Sequence, residues 1–218
     1  MNILLNALEV RVLGSLMEKE STTPDYYPLS LNALLHACNQ RSSRDPVMNL
    51  EEDAMRDTLH SLNEKGLARA TSTADSRVPK YEHRLGEAFN FGRPEFAVLC
   101  ALFLRGPQTP GELRGRAERL YRFEDLGQVQ SALQRLMNRE PPLVTMLPRQ
   151  PGTKEARYAH LLSGDVETWQ PEAASDAALT AGSADSERIA RLENQVAVLQ
   201  NEIADLQQQL ADFRKQFE

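Results

Sequence analysis

One segment near the start of the chain returns in its middle. "EVRVLGSLMEK", residues 9–19, is matched by "EFAVLCALFLR", residues 95–105. Two more pairs follow in the same order: "MRDTLHSLNEKGL" at 55–67 with "VQSALQRLMNRE" at 129–140, and "YEHRL" at 81–85 with "YAHLL" at 158–162. Because similar segments recur in the same order, the sequence predicts two copies of one folding module.

The first copy has the pattern of three helices followed by a β-hairpin. Its first helix is predicted from apolar residues at helical spacing, namely Val10, Leu13, Leu16 and Met17. Ser30 is the predicted N-cap of a second helix over residues 31–39, and Asn49 with Glu52 has the spacing of a capping box that opens the third. Gly66 closes that helix, and two strands are predicted within residues 67–85.

The second copy repeats this plan. Its first helix carries Phe96, Leu99, Leu102 and Phe103 on the inner face, and Thr109, Pro110 and Glu112 have the pattern of a helix start. The third helix is predicted to bury Leu126, Val129, Leu133 and Leu136 before a second hairpin over residues 143–162. Three helices plus a hairpin is the winged helix-turn-helix plan. The predicted fold class is therefore mainly α with small β-hairpins, in two tandem winged-helix domains.

The predicted domains are residues 1–88 and 93–164, followed by a linker and a C-terminal coiled coil. Residues 165–185 are rich in Ala, Ser, Asp and Gly without a period, which is typical of a flexible linker. Over residues 186–218 apolar residues alternate spacings of three and four: Ile189, Leu192, Val196, Leu199, Ile203, Leu206, Leu210 and Phe213. This heptad repeat predicts a two-stranded dimer seam. A single helix packed on the modules would need a broader apolar face.

Charge and composition favour a soluble protein of the cytoplasm. The net charge is −6, but residues 95–162 hold 10 basic and 7 acidic side chains while residues 163–218 hold 4 and 11. No apolar run approaches the roughly 20 residues that cross a bilayer. Cys38 and Cys100 lie on inner helix faces, as small buried apolar residues do in a reducing compartment.

No catalytic or metal-binding motif was found in the sequence. The four histidines, His36, His60, His83 and His160, are scattered one per element, and His36 and Cys38 point in different directions on a helix. His83 and His160 occupy the same place in the two repeats, which favours a shared structural role. We therefore expect no enzyme activity, no catalytic residue, no metal site and no cofactor.

The second repeat carries the basic residues expected of a nucleic-acid contact. They lie on its second helix, the following turn, its third helix and its hairpin: Arg114, Arg116, Arg119, Arg122, Arg135, Arg149 and Lys154. A DNA-reading module places its third helix in the major groove, with basic residues near phosphates. The third helix of the first repeat instead begins with acidic residues, Glu51, Glu52, Asp53 and Asp57, which would repel phosphates.

The segment "TTPDYYPLSLNALLHACNQRSSRDPVM", Thr22 to Met48, resembles the YceH-like family of bacterial proteins of unknown function. The resemblance extends over both modules and implies tandem winged helices with a coiled-coil tail, without implying a biochemical role. Within the segment, "NQRSSR" is more polar than a turn requires. Asn39, Gln40, Arg41 and Arg44 are therefore candidates to bind a phosphate backbone or an acidic protein surface.

These observations lead to two functional hypotheses. The first is a dimeric, non-enzymatic regulator that binds double-stranded DNA through the second repeat and the turn at residues 39–44. The alternative is a scaffold that binds a protein partner through its winged-helix surfaces without DNA. The arginines of the second repeat favour DNA, whereas the acidic third helix of the first repeat favours a protein partner.

Overall fold

The computed structural model describes residues 3–71, 78–149 and 155–164, which all lie within one compact unit, Met1–Glu167. Helices and small antiparallel sheets alternate, so the fold is α+β. The described helices are α1 (Ala7–Thr22), α2 (Leu31–Cys38), α3 (Glu52–Glu64), α4 (Leu85–Phe89), α5 (Arg93–Arg105), α6 (Pro110–Arg116) and α7 (Leu126–Met137). The strands are β1 (Leu29–Ser30), β2 (Ala68–Thr71), β3 (Lys80–His83), β4 (Val144–Met146) and β5 (Tyr158–His160).

The caps explain where most helices begin. Ser30 accepts a hydrogen bond from the Ala33 amide at 3.3 Å, and Thr109 forms a capping box with Glu112, as predicted. The predicted capping box at Asn49 is wrong. The Asn39 side chain holds both the N–H and the C=O of Leu50, at 2.8 and 2.9 Å, so the chain stays extended through residue 51 and α3 begins at Glu52.

Each repeat ends in a hairpin, and the first has an additional strand. Strands β2 and β3 pair antiparallel, and β1 adds to β3 with Leu29 opposite Tyr81. The second repeat has β4 and β5, paired from Val144 opposite His160 to Met146 opposite Tyr158. Two elements were not predicted from the sequence: β1, which is only two residues long, and α4, which lies at the end of the predicted first domain.

The first helices of the two repeats, α1 and α5, pack against each other. Gly14 and Cys100 occupy the same position in the repeat, and the Cys100 thiol lies 3.5 Å from the Gly14 carbonyl oxygen. A methyl group added at Gly14 would lie 2.9 Å from Leu104 Cδ2 and 3.0 Å from Phe103 Cβ. Equivalent positions that meet each other indicate an approximate two-fold relation between the repeats, as in a symmetric dimer.

The apolar pattern correctly predicted most of the core. The inner residues predicted for α1 are buried, as are Leu99, Leu102 and Phe103 of α5 and both cysteines. Leu126 is an exception, being 41% exposed, because it is the first residue of α7 and precedes the inward stripe that starts at Val129. Among the described residues no helix is long and apolar enough to span a bilayer.

Candidate functional site

The third helices of the two repeats present very different surfaces. Helix α3 carries four acidic residues and one arginine, and its Glu52, Asp53 and Asp57 side chains are exposed. Arg56 pairs with Glu52 at 2.5 Å, so it neutralises part of this face without reversing its sign. Helix α7 has no acidic residue, and its exposed residues include Gln130, Ser131, Gln134 and Arg135.

Three of the predicted basic residues of the second repeat are exposed and have no protein partner within the described ranges. They are Arg119 and Arg122, in the turn between α6 and α7, and Arg149, after β4. A free guanidinium offers five N–H donors in a planar fork that matches phosphate oxygens. These three side chains are therefore available to a ligand.

Three other predicted arginines are anchored to the protein. Arg114 Nη2 donates to the Glu124 carbonyl oxygen at 2.7 Å, and Arg116 Nη1 donates to Gln108 Oε1 at 3.0 Å. Arg135 Nη1 lies 3.3 Å from Glu95 Oε1, although the Arg135 side chain is still 62% exposed. These contacts fix the direction of each guanidinium and leave part of it open to solvent.

Glu112 organises the basic surface around α6. It caps that helix and lies 2.8 Å from Arg157 and 3.5 Å from Arg116. Burial alone would raise the pKa of Glu112, but the hydrogen bond from Thr109 and the charges of Arg157 and Arg116 outweigh it and lower the pKa. The carboxylate is therefore ionised at neutral pH and holds two arginines of the second repeat in place.

The turn at residues 39–44 is largely internal. Arg44 is buried, donates from Nε and Nη2 to the Ala37 carbonyl oxygen at 3.1 and 2.9 Å, and pairs with Glu18 at 2.6 Å. Asn39 is committed to Leu50, as described above. Gln40 is half-buried and Arg41 is exposed. The dense polar sequence of this turn is thus explained mainly by hydrogen bonds within the protein, which leaves Arg41 as its accessible cation.

Glu18 is the acidic partner that makes this burial possible. Its own burial would raise its pKa, but hydrogen bonds and the positive charge of Arg44, with a smaller effect of Lys19, lower it instead. Glu18 lies 26 positions before Arg44 in the chain. This separation explains why the turn alone gave no sign that its second arginine would be buried.

The sequence analysis also missed two buried charged residues of α1. Arg11 donates to the Cys38 carbonyl oxygen at 3.1 Å and to the Pro46 carbonyl oxygen at 2.5 Å, which ties the turn to the helix. Glu9 pairs with Lys65 at 2.6 Å and accepts from Ser61 at 2.7 Å. Glu95 holds the equivalent place in α5 and meets Arg135. The glutamate that begins both repeated segments was the available signal.

The two equivalent histidines have different surroundings. His83 lies 3.0 Å from Glu20, and its backbone N–H donates to the Tyr27 hydroxyl at 2.8 Å. His160 packs edge-on against Phe103, and its Nδ1 has no hydrogen-bond partner among the described residues. Burial lowers the pKa of His160 to about 4. In the part of the chain that the structure describes, no group of three or more His, Cys, Asp or Glu side chains has the arrangement of a metal site.

Lys154 and the whole predicted dimer seam lie outside the described residues. The seam comprises Ile189, Leu192, Val196, Leu199, Ile203, Leu206, Leu210 and Phe213. The linker predicted over residues 165–185 also lies outside them. Each of these stays a prediction from the sequence.

Comparison with known proteins identifies the family. A family model described as "Protein of unknown function, DUF480" matches residues 5–153. A UPF0502 protein of Koribacter versatilis is 56% identical over 197 residues, which cover 90% of each chain. A UPF0502 protein of Solibacter usitatus is 56% identical over 192 residues, covering 88% of this chain and 91% of the relative. The resemblance to a bacterial family of unknown function is thus confirmed: the chain belongs to the DUF480 family, which includes the UPF0502 proteins.

Proposed function

We propose that the protein is a non-enzymatic, tandem winged-helix protein that binds double-stranded DNA mainly through its second repeat. The observation that carries this proposal is the surface of that repeat. It combines the guanidinium groups of Arg119, Arg122 and Arg149, which have no partner among the described residues, with a third helix that has no acidic residue. Such a surface meets the two needs of a DNA-binding module, namely phosphate contacts and polar side chains at base edges.

The order of elements supports this use of the surface. In each repeat a helix is followed by two more helices and an antiparallel hairpin, the order found in winged helix-turn-helix proteins. In those proteins the third helix enters the major groove. At the corresponding face of α7, Gln130 and Gln134 have side chains of the type that forms paired hydrogen bonds with adenine. Arg122 precedes this helix and Arg149 follows β4, so phosphate contacts would flank it.

The test is to titrate the protein into a fluorescently labelled random duplex of about 30 base pairs. Binding is measured by fluorescence anisotropy at several salt concentrations. Binding by the wild-type protein should weaken steeply as salt rises. In the double variant Arg122→Gln, Arg149→Gln the slope of log K against log salt should fall by about 1.8, since each phosphate contact contributes about 0.9. The matched control is Arg93→Gln, an exposed arginine at the start of α5 that lies outside the candidate surface, which should keep the wild-type slope. A wild-type protein that binds no duplex at low salt would overturn the proposal.

A protein scaffold is the second candidate, and the exposed acidic face of α3 favours it. Glu52, Asp53 and Asp57 would repel a phosphate backbone but would attract a basic protein segment. The two candidates use different repeats. Exchange of these three acidic residues for glutamine or asparagine should therefore leave duplex binding intact or strengthen it, while it should weaken a scaffold that binds through α3.

We further propose that the chain dimerises through the heptad repeat of residues 186–218. Apolar residues at alternating spacings of three and four favour a two-stranded coil, with a β-branched residue at several a positions and leucine at d. The double variant Leu199→Asp, Leu206→Asp places two charges at successive d positions. It should sediment as a monomer, and a mass equal to that of a wild-type dimer would exclude this segment as the seam.

A further inference from the structure

A small recess between the two repeats is lined by arginine side chains. Its volume is about 40 Å³, and its walls include Glu18 and Thr22 of α1, Ser43 of the turn at residues 39–44, Arg105 at the end of α5, and Arg116 and Arg119. A cavity needs roughly 10–15 Å³ to hold one water molecule. The recess therefore has room for about three groups of that size, which is the scale of the oxygens of one small anion.

Arg105 is the central feature of this recess. It is half-buried, and no described residue accepts a hydrogen bond from it or forms an ion pair with it. Burial lowers the pKa of Arg105, and the positive charges of Arg116 and Arg44 lower it further. A partly buried guanidinium with unused donors is unfavourable unless a partner satisfies it.

The acidic residues near the recess are largely committed elsewhere. Glu18 accepts two hydrogen bonds from Arg44, at 3.3 and 2.6 Å. Glu112 is shared between Arg157 and Arg116. Asp45 is exposed and offsets the charge of Arg105 only in part, since the net effect of the surroundings is still to destabilise the charged form. The recess thus keeps an excess of positive charge.

Ser43 adds a second observation on the opposite wall. Its φ is 60°, in the left-handed region that residues other than glycine seldom adopt. This conformation directs the Ser43 carbonyl oxygen to Arg44 Nη1 at 2.9 Å and leaves Ser43 on the wall of the recess. Strained backbone of this kind is concentrated at ligand sites. Ser43 thus lines the recess together with Arg105, Arg116 and Arg119.

We propose that this recess binds the phosphoryl group of a small phosphorylated molecule. Guanidinium groups recognise phosphate oxygens through paired hydrogen bonds, and a phosphoryl group carries about −1.5 to −2 charges at neutral pH, which suits several arginines better than a single carboxylate does. The recess accommodates little beyond that group, so the rest of the molecule would project into solvent. Because its walls come from both repeats, the ligand would also stabilise their contact. This proposal does not depend on DNA binding.

The experiment measures inorganic phosphate binding to the full-length protein by calorimetry and by thermal unfolding. Sodium chloride at equal ionic strength is the reference. The wild-type protein should show saturable heat and a Tm that rises with phosphate. In Arg105→Gln, phosphate affinity should fall by about 10- to 100-fold, the usual effect of losing a charged hydrogen-bond donor. Arg93→Gln, which removes an exposed arginine outside both the recess and the proposed DNA surface, should bind phosphate as the wild-type protein does.

The outcomes separate this site from the proposed DNA surface. If Arg105→Gln loses phosphate binding and keeps duplex binding, the ligand is a free small molecule. If Arg105→Gln weakens duplex binding to the same degree, the phosphoryl group belongs to nucleic acid and the small-molecule assignment is overturned. Phosphate that acts no differently from chloride, or an Arg105→Gln variant that binds phosphate normally, would overturn the site itself. In either case the salt slope of the Arg122 and Arg149 variant still tests DNA binding.

Discussion

The two repeats share one plan of helices and hairpin, yet they use charge in opposite ways. In the first repeat the positive charges at Arg11 and Arg44 are buried against carbonyl oxygens and a glutamate, while the acidic residues of α3 face solvent. In the second repeat the third helix has no acidic residue, and Arg119 and Arg122 lie at the surface without partners in the part of the chain that the structure describes. The same arrangement of elements therefore offers exposed acidic residues on the third helix of one repeat and exposed arginines around the third helix of the other.

Arginine residues therefore have different roles in the two repeats. Burying a guanidinium is unfavourable unless its donors are satisfied, so the arginines of the first repeat serve the fold. Exposed arginines contribute little to stability, so their presence in the second repeat is better explained by binding. If the repeats differ in this way, substitutions within them should have unequal effects on stability.

Replacement of Arg44 should have a much larger effect than replacement of Arg41 in the same turn. Arg44→Ala removes the partner of Glu18 and should lower the free energy of unfolding by about 3 kcal/mol, as is usual for a broken buried ion pair. Arg41→Ala removes an exposed side chain and should change it by less than about 0.5 kcal/mol. Urea unfolding of both variants gives the two values. Equal free energies of unfolding for the two variants would mean that the buried pair of Arg44 and Glu18 does not stabilise the fold.

The same pair gives a pH signature. The lowered pKa of Glu18 means that its ionised form stabilises the folded state above its ordinary value of 4.5, and that this contribution is lost as the pH falls through the lower folded value. The stability gap between the wild-type protein and Arg44→Ala should therefore be widest near neutral pH and should narrow in acid. A gap that stays constant with pH would point to lost packing instead of lost charge pairing.

The second prediction concerns the close contact between α1 and α5, the first helices of the two repeats. Gly14→Val should destabilise the protein by about 2 kcal/mol, since the new side chain must displace Phe103 Cβ and Leu104, which are already at contact distance. Gly115→Ala in α6 is the matched control, because no atom of the described residues lies within 4 Å of its added methyl group. The control should gain up to about 1 kcal/mol from helix propensity. Thermal unfolding distinguishes the two, and a neutral Gly14→Val would contradict the close approach of the repeats.

Local sequence signals predicted much of this fold, and contacts between distant segments were the part they could not supply. Ser30 and Thr109 act as N-caps through residues only three positions away, so the sequence pattern contains all the required information. The burial of Arg44 depends on Glu18, and the start of α3 depends on Asn39, neither of which a local pattern reveals. The same holds for β1, whose two residues are a strand only because β3 pairs with them.

In the candidate site, too, local features could be predicted from the sequence and contacts between distant segments could not. Exposed Arg119, Arg122 and Arg149 were identified because clustered charge is visible in the sequence, whereas Arg105 was missed because it ends a regular apolar helix. Its importance comes from the arginines that other elements place beside it. The recess between the repeats exists only after the chain has folded.

The smallest expected effect on stability concerns His160, the histidine of the second repeat that is equivalent to His83 in the first. Between pH 6.5 and about 4 the unfolded chain binds a proton at His160 that the folded protein does not, because the folded pKa is about 4. Wild-type stability should therefore fall by about 1–2 kcal/mol between pH 7.5 and pH 5 on account of this residue.

His160→Phe should remove that part of the pH dependence and keep the contact with Phe103, since an aromatic ring still fills the site. The exposed control His36→Gln should keep the wild-type profile. At His83, by contrast, Glu20 lies 3.0 Å from the ring, so the same position in the first repeat has an acidic neighbour in place of the apolar contact with Phe103. If His160→Phe retains the full pH dependence, the difference between the repeats at this position has no energetic consequence, and other groups account for the acid sensitivity.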